Sequence, residues 1–141
     1  MKNICLSIVL LLLISSCAES YNEVQEKELI EYDAPTVELN QGVQWQANAA
    51  TVEGISKLKI LAENFDTESD SFEELQSQMR NEFSLIFKNC TMKGEAHEQL
   101  HNYLLPLMDM FGDLTTSNKD AALKAIKKHL DKFDGYFEQE G

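Results

Sequence analysis

Four side chains that can bind a transition metal lie close together in the sequence: Cys90, Met92, His97 and His101. Thiolate and thioether sulfur are soft ligands that suit copper(I), whereas imidazole suits copper and zinc alike. The two histidines are four residues apart, so on a helix they project from the same face. This cluster predicts a metal site, and copper is favoured over zinc because methionine is a poor zinc ligand.

The same residues have a second interpretation, in which they only pack in the protein core. A free cysteine often behaves as a small buried hydrophobe, and a methionine in a loop need have no role. If the ligand set contains Glu95, Glu98 or His129 in place of Met92, the site fits zinc or nickel better than copper. Haem held through His and Met ligands is a third interpretation, although the chain has no C-x-x-C-H attachment motif.

Motifs for catalysis are weak in this sequence. There is no G-x-S-x-G nucleophile elbow and no glycine-rich phosphate loop. A nucleophilic pair of Cys90 and His97 would lack an obvious orienting partner. We therefore expect a protein that holds, senses or transfers an ion, and not an enzyme.

The first residues have the features of an export signal. Lys2 precedes the apolar stretch Ile4 to Ile14, which is too short to span a bilayer comfortably. The stretch ends in Ile-Ser-Ser-Cys at Cys17, and this tetrapeptide resembles the lipobox of bacterial lipoproteins. The resemblance covers residues 1–17 and implies cleavage before Cys17 and acylation of that cysteine. The alternative is an ordinary secretory signal cut near Ala18.

Acylation of Cys17 would anchor the protein in the bacterial cell envelope. Several acyl chains on one cysteine give a stable membrane anchor, which a single chain does not. The residue after the cysteine is Ala18, whereas the lipoprotein sorting rule retains proteins with Asp there at the inner membrane. The resemblance therefore implies the outer membrane rather than the inner one.

The charge of the chain limits its partners. With 24 acidic and 12 basic residues it carries a net charge of −12, and DNA affinity depends mostly on neutralising phosphates. We therefore expect no nucleic acid as a partner. The expected partners are membrane lipid, a metal ion and an envelope protein. Five lysines on the last predicted helix form either a solvated face or a surface for an acidic partner: Lys119, Lys124, Lys127, Lys128 and Lys132.

Residues 18–44 are predicted to form an extended acidic tether before the folded domain. This stretch contains several carboxylates and a single basic residue, Lys27, so its negative charges repel one another. These carboxylates belong to Glu19, Glu23, Glu26, Glu28, Glu31, Asp33 and Glu38. The tether would hold residues 45–141 away from the membrane.

Four amphipathic helical patterns follow in residues 45–141, and no strand pattern competes with them. The first runs from about Ala49 to Phe65, and the others begin near Ser71, Gly94 and Ser117, the last one reaching Phe137. The third is predicted to bury His97, Leu100, Leu104, Met108 and Phe111. The pattern predicts an all-α domain, an antiparallel up-down-up-down four-helix bundle. In that fold the four metal-binding side chains meet at one end of the bundle.

Overall fold

The computed structural model describes residues 32–141, so the predicted leader, Cys17 and residues 18–31 of the tether lie outside the described residues. The elements are β1 (Trp45–Ala47), α1 (Ala49–Glu63), α2 (Phe72–Asn89), α3 (Gly94–Asp113), α4 (Lys119–Leu130), α5 (Phe133–Tyr136) and β2 (Phe137–Gln139). The predicted mainly helical fold is confirmed. Within residues 32–141, no helix is long and apolar enough to cross a membrane.

The prediction of an all-α domain is wrong in one respect, because β1 and β2 form a small parallel sheet. Trp45 lies opposite Phe137, and Ala47 lies opposite Gln139. The backbone N–H of Glu140 donates to Ala47 O at 3.0 Å and extends the pairing. Strands of three residues are too short to show an alternating pattern, so periodicity could not reveal them.

Helix α2 begins as its sequence predicts. The N-cap is Ser71, whose hydroxyl accepts a hydrogen bond from the Glu74 N–H at 3.3 Å. The apolar residues at three- and four-residue spacing along this helix are buried: Phe72, Leu75, Met79, Phe83 and Ile86. Helix α3 differs from its prediction, since Met108 is 48% exposed. The core instead receives other residues of that helix, including Tyr103, Leu107 and Met110.

A glycine sets how closely α1 approaches α2. A Cβ atom added at Gly54 would lie 2.3 Å from Cγ1 of Ile86, far inside van der Waals contact. Ile86 is buried and has little room to move away. Glycine inside a helix costs about 1 kcal/mol relative to alanine, and here it allows the two helices to pack in direct contact.

An aromatic cluster joins the end of the chain to α3. The Phe133 and Phe137 rings stack at 5.0 Å, and the Tyr103 ring meets both edge-on at 5.4 and 5.9 Å. The Tyr103 hydroxyl donates to the carbonyl oxygens of His129 and Leu130, at 3.1 and 3.3 Å. These contacts hold the last turn of α4, and the residues after it, against α3.

Residues 32–38 of the predicted tether lie along α3. Tyr32 Oη donates to Asp113 Oδ2 (2.9 Å), the Asn102 amide donates to Thr36 O (3.4 Å), and the Glu38 N–H donates to Gln99 Oε1 (2.8 Å). The Trp45 indole N–H donates to Glu38 O at 2.6 Å. The segment therefore runs from the C-terminal end of α3 towards its N-terminal end before it enters β1.

Candidate metal centre

The four predicted ligands lie at the end of α2, in the connection that follows it, and in the first two turns of α3. Cys90 is the C-cap of α2 and has extended backbone angles. The Asn48 amide donates to Asn89 O at 3.1 Å and satisfies a carbonyl that the helix end leaves free. Gly94 starts α3 with a φ of 63°, a left-handed conformation that glycine adopts without steric cost. The connection between the helices is therefore short and well defined.

Three of the four predicted ligands lie close to one another. The Cys90 Sγ is 3.5 Å from His97 Nδ1. The His97 and His101 rings are 4.5 Å apart between centroids, with their planes tilted by 57°. Phe87 packs edge-on against the His101 ring at 5.3 Å. All three ligand side chains are partly exposed, so an ion could reach them from solvent.

The sulfur–nitrogen separation matches that of two ligands on one ion. With metal–sulfur and metal–nitrogen bonds of about 2.3 and 2.05 Å, a tetrahedral angle puts the two ligand atoms about 3.6 Å apart. The observed 3.5 Å between Cys90 Sγ and His97 Nδ1 is close to this value. The same distance also fits a direct thiol–imidazole contact, so it is compatible with both interpretations of the cluster.

The fourth predicted ligand, Met92, does not complete a metal site in the observed arrangement of side chains. Met92 is half-buried and packs against the hydrophobic core. Among residues 32–141, no group of three or more His, Cys, Asp and Glu side chains stands in metal-binding geometry. A site with three or four ligands therefore requires side-chain rotation, above all of His101 and Met92.

His129, considered as an alternative ligand, is engaged elsewhere. Its Nε2 donates to Tyr103 O at 2.7 Å, and its ring packs on the Tyr103 ring at 4.6 Å. His129 lies where α4 packs against α3, whereas Cys90 and His97 lie at the junction of α2 and α3. His129 thus contributes to packing between α3 and α4.

Glu98 is part of a motif that the sequence interpretation missed, although it named Glu98 as an alternative ligand. His97, Glu98 and His101 have the H-E-x-x-H spacing, which on a helix can supply two zinc ligands and a general base. The spacing itself was the signal that could have identified Glu98. Its side chain is exposed. The spacing strengthens zinc as the second choice of metal, but a hydrolase would also need a third protein ligand.

His129 should make the stability of the fold depend on pH. Burial lowers the pKa of His129 and outweighs its hydrogen bond to the Tyr103 carbonyl, which raises the pKa. The unfolded chain therefore binds a proton at a higher pH than the folded one. This contribution to stability is complete above the ordinary histidine pKa of about 6.5 and decreases as the pH falls below it.

Urea unfolding at pH about 7.5 and about 5.5 would measure this effect, with His129→Gln as the comparison. Between these two pH values the free energy of unfolding should fall more in the wild-type protein than in the variant, because glutamine takes up no proton. All other titratable groups are the same in the two proteins, so their contribution cancels in the comparison. An equal loss in the two proteins would show that His129 does not contribute to the pH dependence.

The cluster offers one sulfur and two nitrogen donors, with a second sulfur nearby, on an accessible end of α3. Such donors can hold a soft ion and release it again. No protein-family model, no curated protein and no solved structure matches this chain. The residues and their geometry are therefore the basis on which a function can be assigned.

Proposed function

We propose that the protein is a lipid-anchored protein of the bacterial envelope that binds copper(I), with zinc as the second choice. Cys90 and Met92 supply sulfur, and His97 and His101 supply nitrogen. Its role is to hold, sense or transfer the ion, and not to catalyse a reaction. The observation that supports the proposal is the grouping of Cys90, His97 and His101, with Cys90 Sγ 3.5 Å from His97 Nδ1 and the two imidazole rings 4.5 Å apart, because it places one sulfur and two nitrogen donors together.

Binding would begin with the pair that is already in place. Cys90 would bind as a thiolate and release its proton to solvent, because the thiolate is the form that ligates metals. His97 binds through Nδ1, and rotation of the neighbouring His101 ring brings in a second imidazole. Met92 lies two residues beyond Cys90 in the connection, so a local change of rotamer can complete a soft site.

The antiparallel up-down-up-down bundle is part of this proposal. Two contacts between α2 and α3 support opposite directions: the Gln76 amide donates to Phe111 O at 2.6 Å, and Cys90 meets His97 at the other end. Helices α3 and α4 are joined by a short connection and meet again where Tyr103 contacts Leu130. Such a bundle builds its ligand sites from side chains on facing helices.

The envelope location rests on the leader alone. Acylated Cys17 would hold the protein at the membrane, in the outer membrane rather than the inner one. Residues 18–31 would span the distance to the domain, and an envelope protein would be the partner for ion transfer. Nucleic acid is not a partner in this proposal.

A second candidate function is that of a structural or protein-interaction lipoprotein without a metal. The observation in its favour is that Cys90 and Met92 both pack against the hydrophobic core. In that case the cluster stabilises the junction of α2 and α3, and the histidines remain partly exposed.

Direct titration separates the two candidates. The full chain, carrying Cys5→Ser and Cys17→Ser so that Cys90 is its one thiol, is titrated with copper(I) and then with zinc against a chromophoric chelator. We expect one copper(I) per chain, protection of Cys90 from iodoacetamide, and a shift of the ¹³C-methyl resonance of Met92. Failure to compete with the chelator for either ion, or unchanged alkylation of Cys90, would favour the packing function.

A further inference from the structure

A groove on the other side of α3 has the features of a binding site for a small molecule. It has a volume of about 490 Å³ and lies between residues 32–37, α3 and the end of α4. This volume is within the range of roughly 300–1,000 Å³ that is usual for ligand pockets. Its lining differs from the metal-binding cluster, so the inference does not depend on the proposed metal function.

The floor of the groove is apolar. Pro106, Met110 and Ala125 line it, and the Tyr32 and Tyr136 side chains form parts of its walls. The wall that residues 32–37 supply is held in place by the hydrogen bonds of Tyr32 to Asp113 and of Asn102 to Thr36. A wall fixed in this way gives the groove a defined shape before any ligand binds.

The rim of the groove carries positive charge. Lys128, in the last turn of α4, and Lys132, just beyond the end of α4, both line it. Neither ammonium forms an ion pair with another residue in the range 32–141. His129 also lines the groove, but its Nε2 is bound to the Tyr103 carbonyl. The lysines are therefore the groups that can meet an anionic ligand.

We propose that this groove binds an organic anion with an apolar body, such as a medium-chain fatty-acid carboxylate. The carboxylate lies between Lys128 and Lys132, and the hydrocarbon chain covers Pro106, Met110 and Ala125. A small inorganic anion would leave this floor in contact with water, and an uncharged apolar molecule would gain nothing from the two ammonium groups. An amphipathic anion satisfies both parts of the groove.

Selective labelling of methionine gives a local test in the full chain. The ¹³C-methyl resonances of Met110 in the groove, Met79 in the core, Met92 at the cluster and Met108 on the surface report on four different places. On titration with octanoate, the Met110 resonance should shift and saturate while the other three stay in place. Acetate, which lacks the apolar body, should leave Met110 unchanged, and 1-octanol should bind about tenfold more weakly than octanoate.

Two charge variants sharpen this test. Lys128→Gln with Lys132→Gln should weaken octanoate binding about tenfold, as expected for the loss of two exposed ion pairs. Lys88→Gln with Lys93→Gln removes the same charge from residues that do not line the groove and should bind octanoate like the wild type. The Met79 resonance shows that each variant is folded. A Met110 resonance that does not respond, equal affinity for 1-octanol, or equal weakening by both variants would overturn the proposal.

Discussion

Copper(I) should raise the free energy of unfolding of this protein, and Cys90→Ser should remove most of that increase. At a free ion concentration one hundred times the Kd, a ligand that binds only the folded state adds about 2.7 kcal/mol. A serine hydroxyl is a poor ligand for a soft ion, whereas the Cys90 sulfur lies 3.5 Å from His97 Nδ1. Urea unfolding with and without copper(I), in the background Cys5→Ser with Cys17→Ser, measures the difference.

Two further variants distinguish the proposed ligands from a residue that should not bind the ion. His97→Ala combined with His101→Ala should also abolish the gain, because it removes both imidazoles. Met108→Leu removes an exposed thioether from the same helix and should keep the full gain. If the cluster only packs, copper(I) should add nothing to the wild type. The apo variants would then lose about 1–3 kcal/mol through lost packing or unpaired polar groups, and the metal proposal would fail.

Phe137→Ala should destabilise the fold by about 3–5 kcal/mol, which is the usual cost of removing a buried phenylalanine ring. Phe137 is 2% exposed, stacks on Phe133 and lies opposite Trp45 in the sheet. The substitution leaves a cavity where β2, α5 and α3 meet. The chain has one tryptophan, so the fluorescence of Trp45 during urea unfolding reports on this region directly.

Gln139→Ala is the matched control for this prediction. Gln139 is in the same strand, but its side chain is exposed, and such substitutions usually change stability by less than about 0.5 kcal/mol. A loss below about 1 kcal/mol for Phe137→Ala would mean that the aromatic cluster is not part of the cooperative core. A similar loss for both variants would point to the backbone pairing of β2 instead of the ring.

The parts of the fold that sequence could predict are those with local causes. The Ser71 cap and the apolar stripe of α2 follow from residues three or four positions apart. The sheet escaped prediction because its cause is the pairing of two segments that are distant in sequence. The buried face of α3 passes through Leu107 and Met110, and Met108 lies beside this face, so the predicted stripe was wrong at that one position.

The candidate site was predictable to a similar extent. The i, i+4 spacing of His97 and His101, together with a short connection after α2, was enough to bring Cys90 to their side. The partner of His129 was not predictable, because Tyr103 meets it only when α4 packs on α3. Rotamers decide whether Met92 joins the cluster, and no sequence pattern specifies them.

The parallel sheet has a consequence for biosynthesis. The partners in the sheet are some 92 residues apart, as the contact of Gln46 with Glu138 illustrates. A growing chain cannot complete the pairing of β1 until β2 has been synthesised and has left the ribosome. If the chain is exported, folding of the domain must be held back until translocation has delivered residue 137. We therefore expect this domain to fold after synthesis and to need protection of β1 until then.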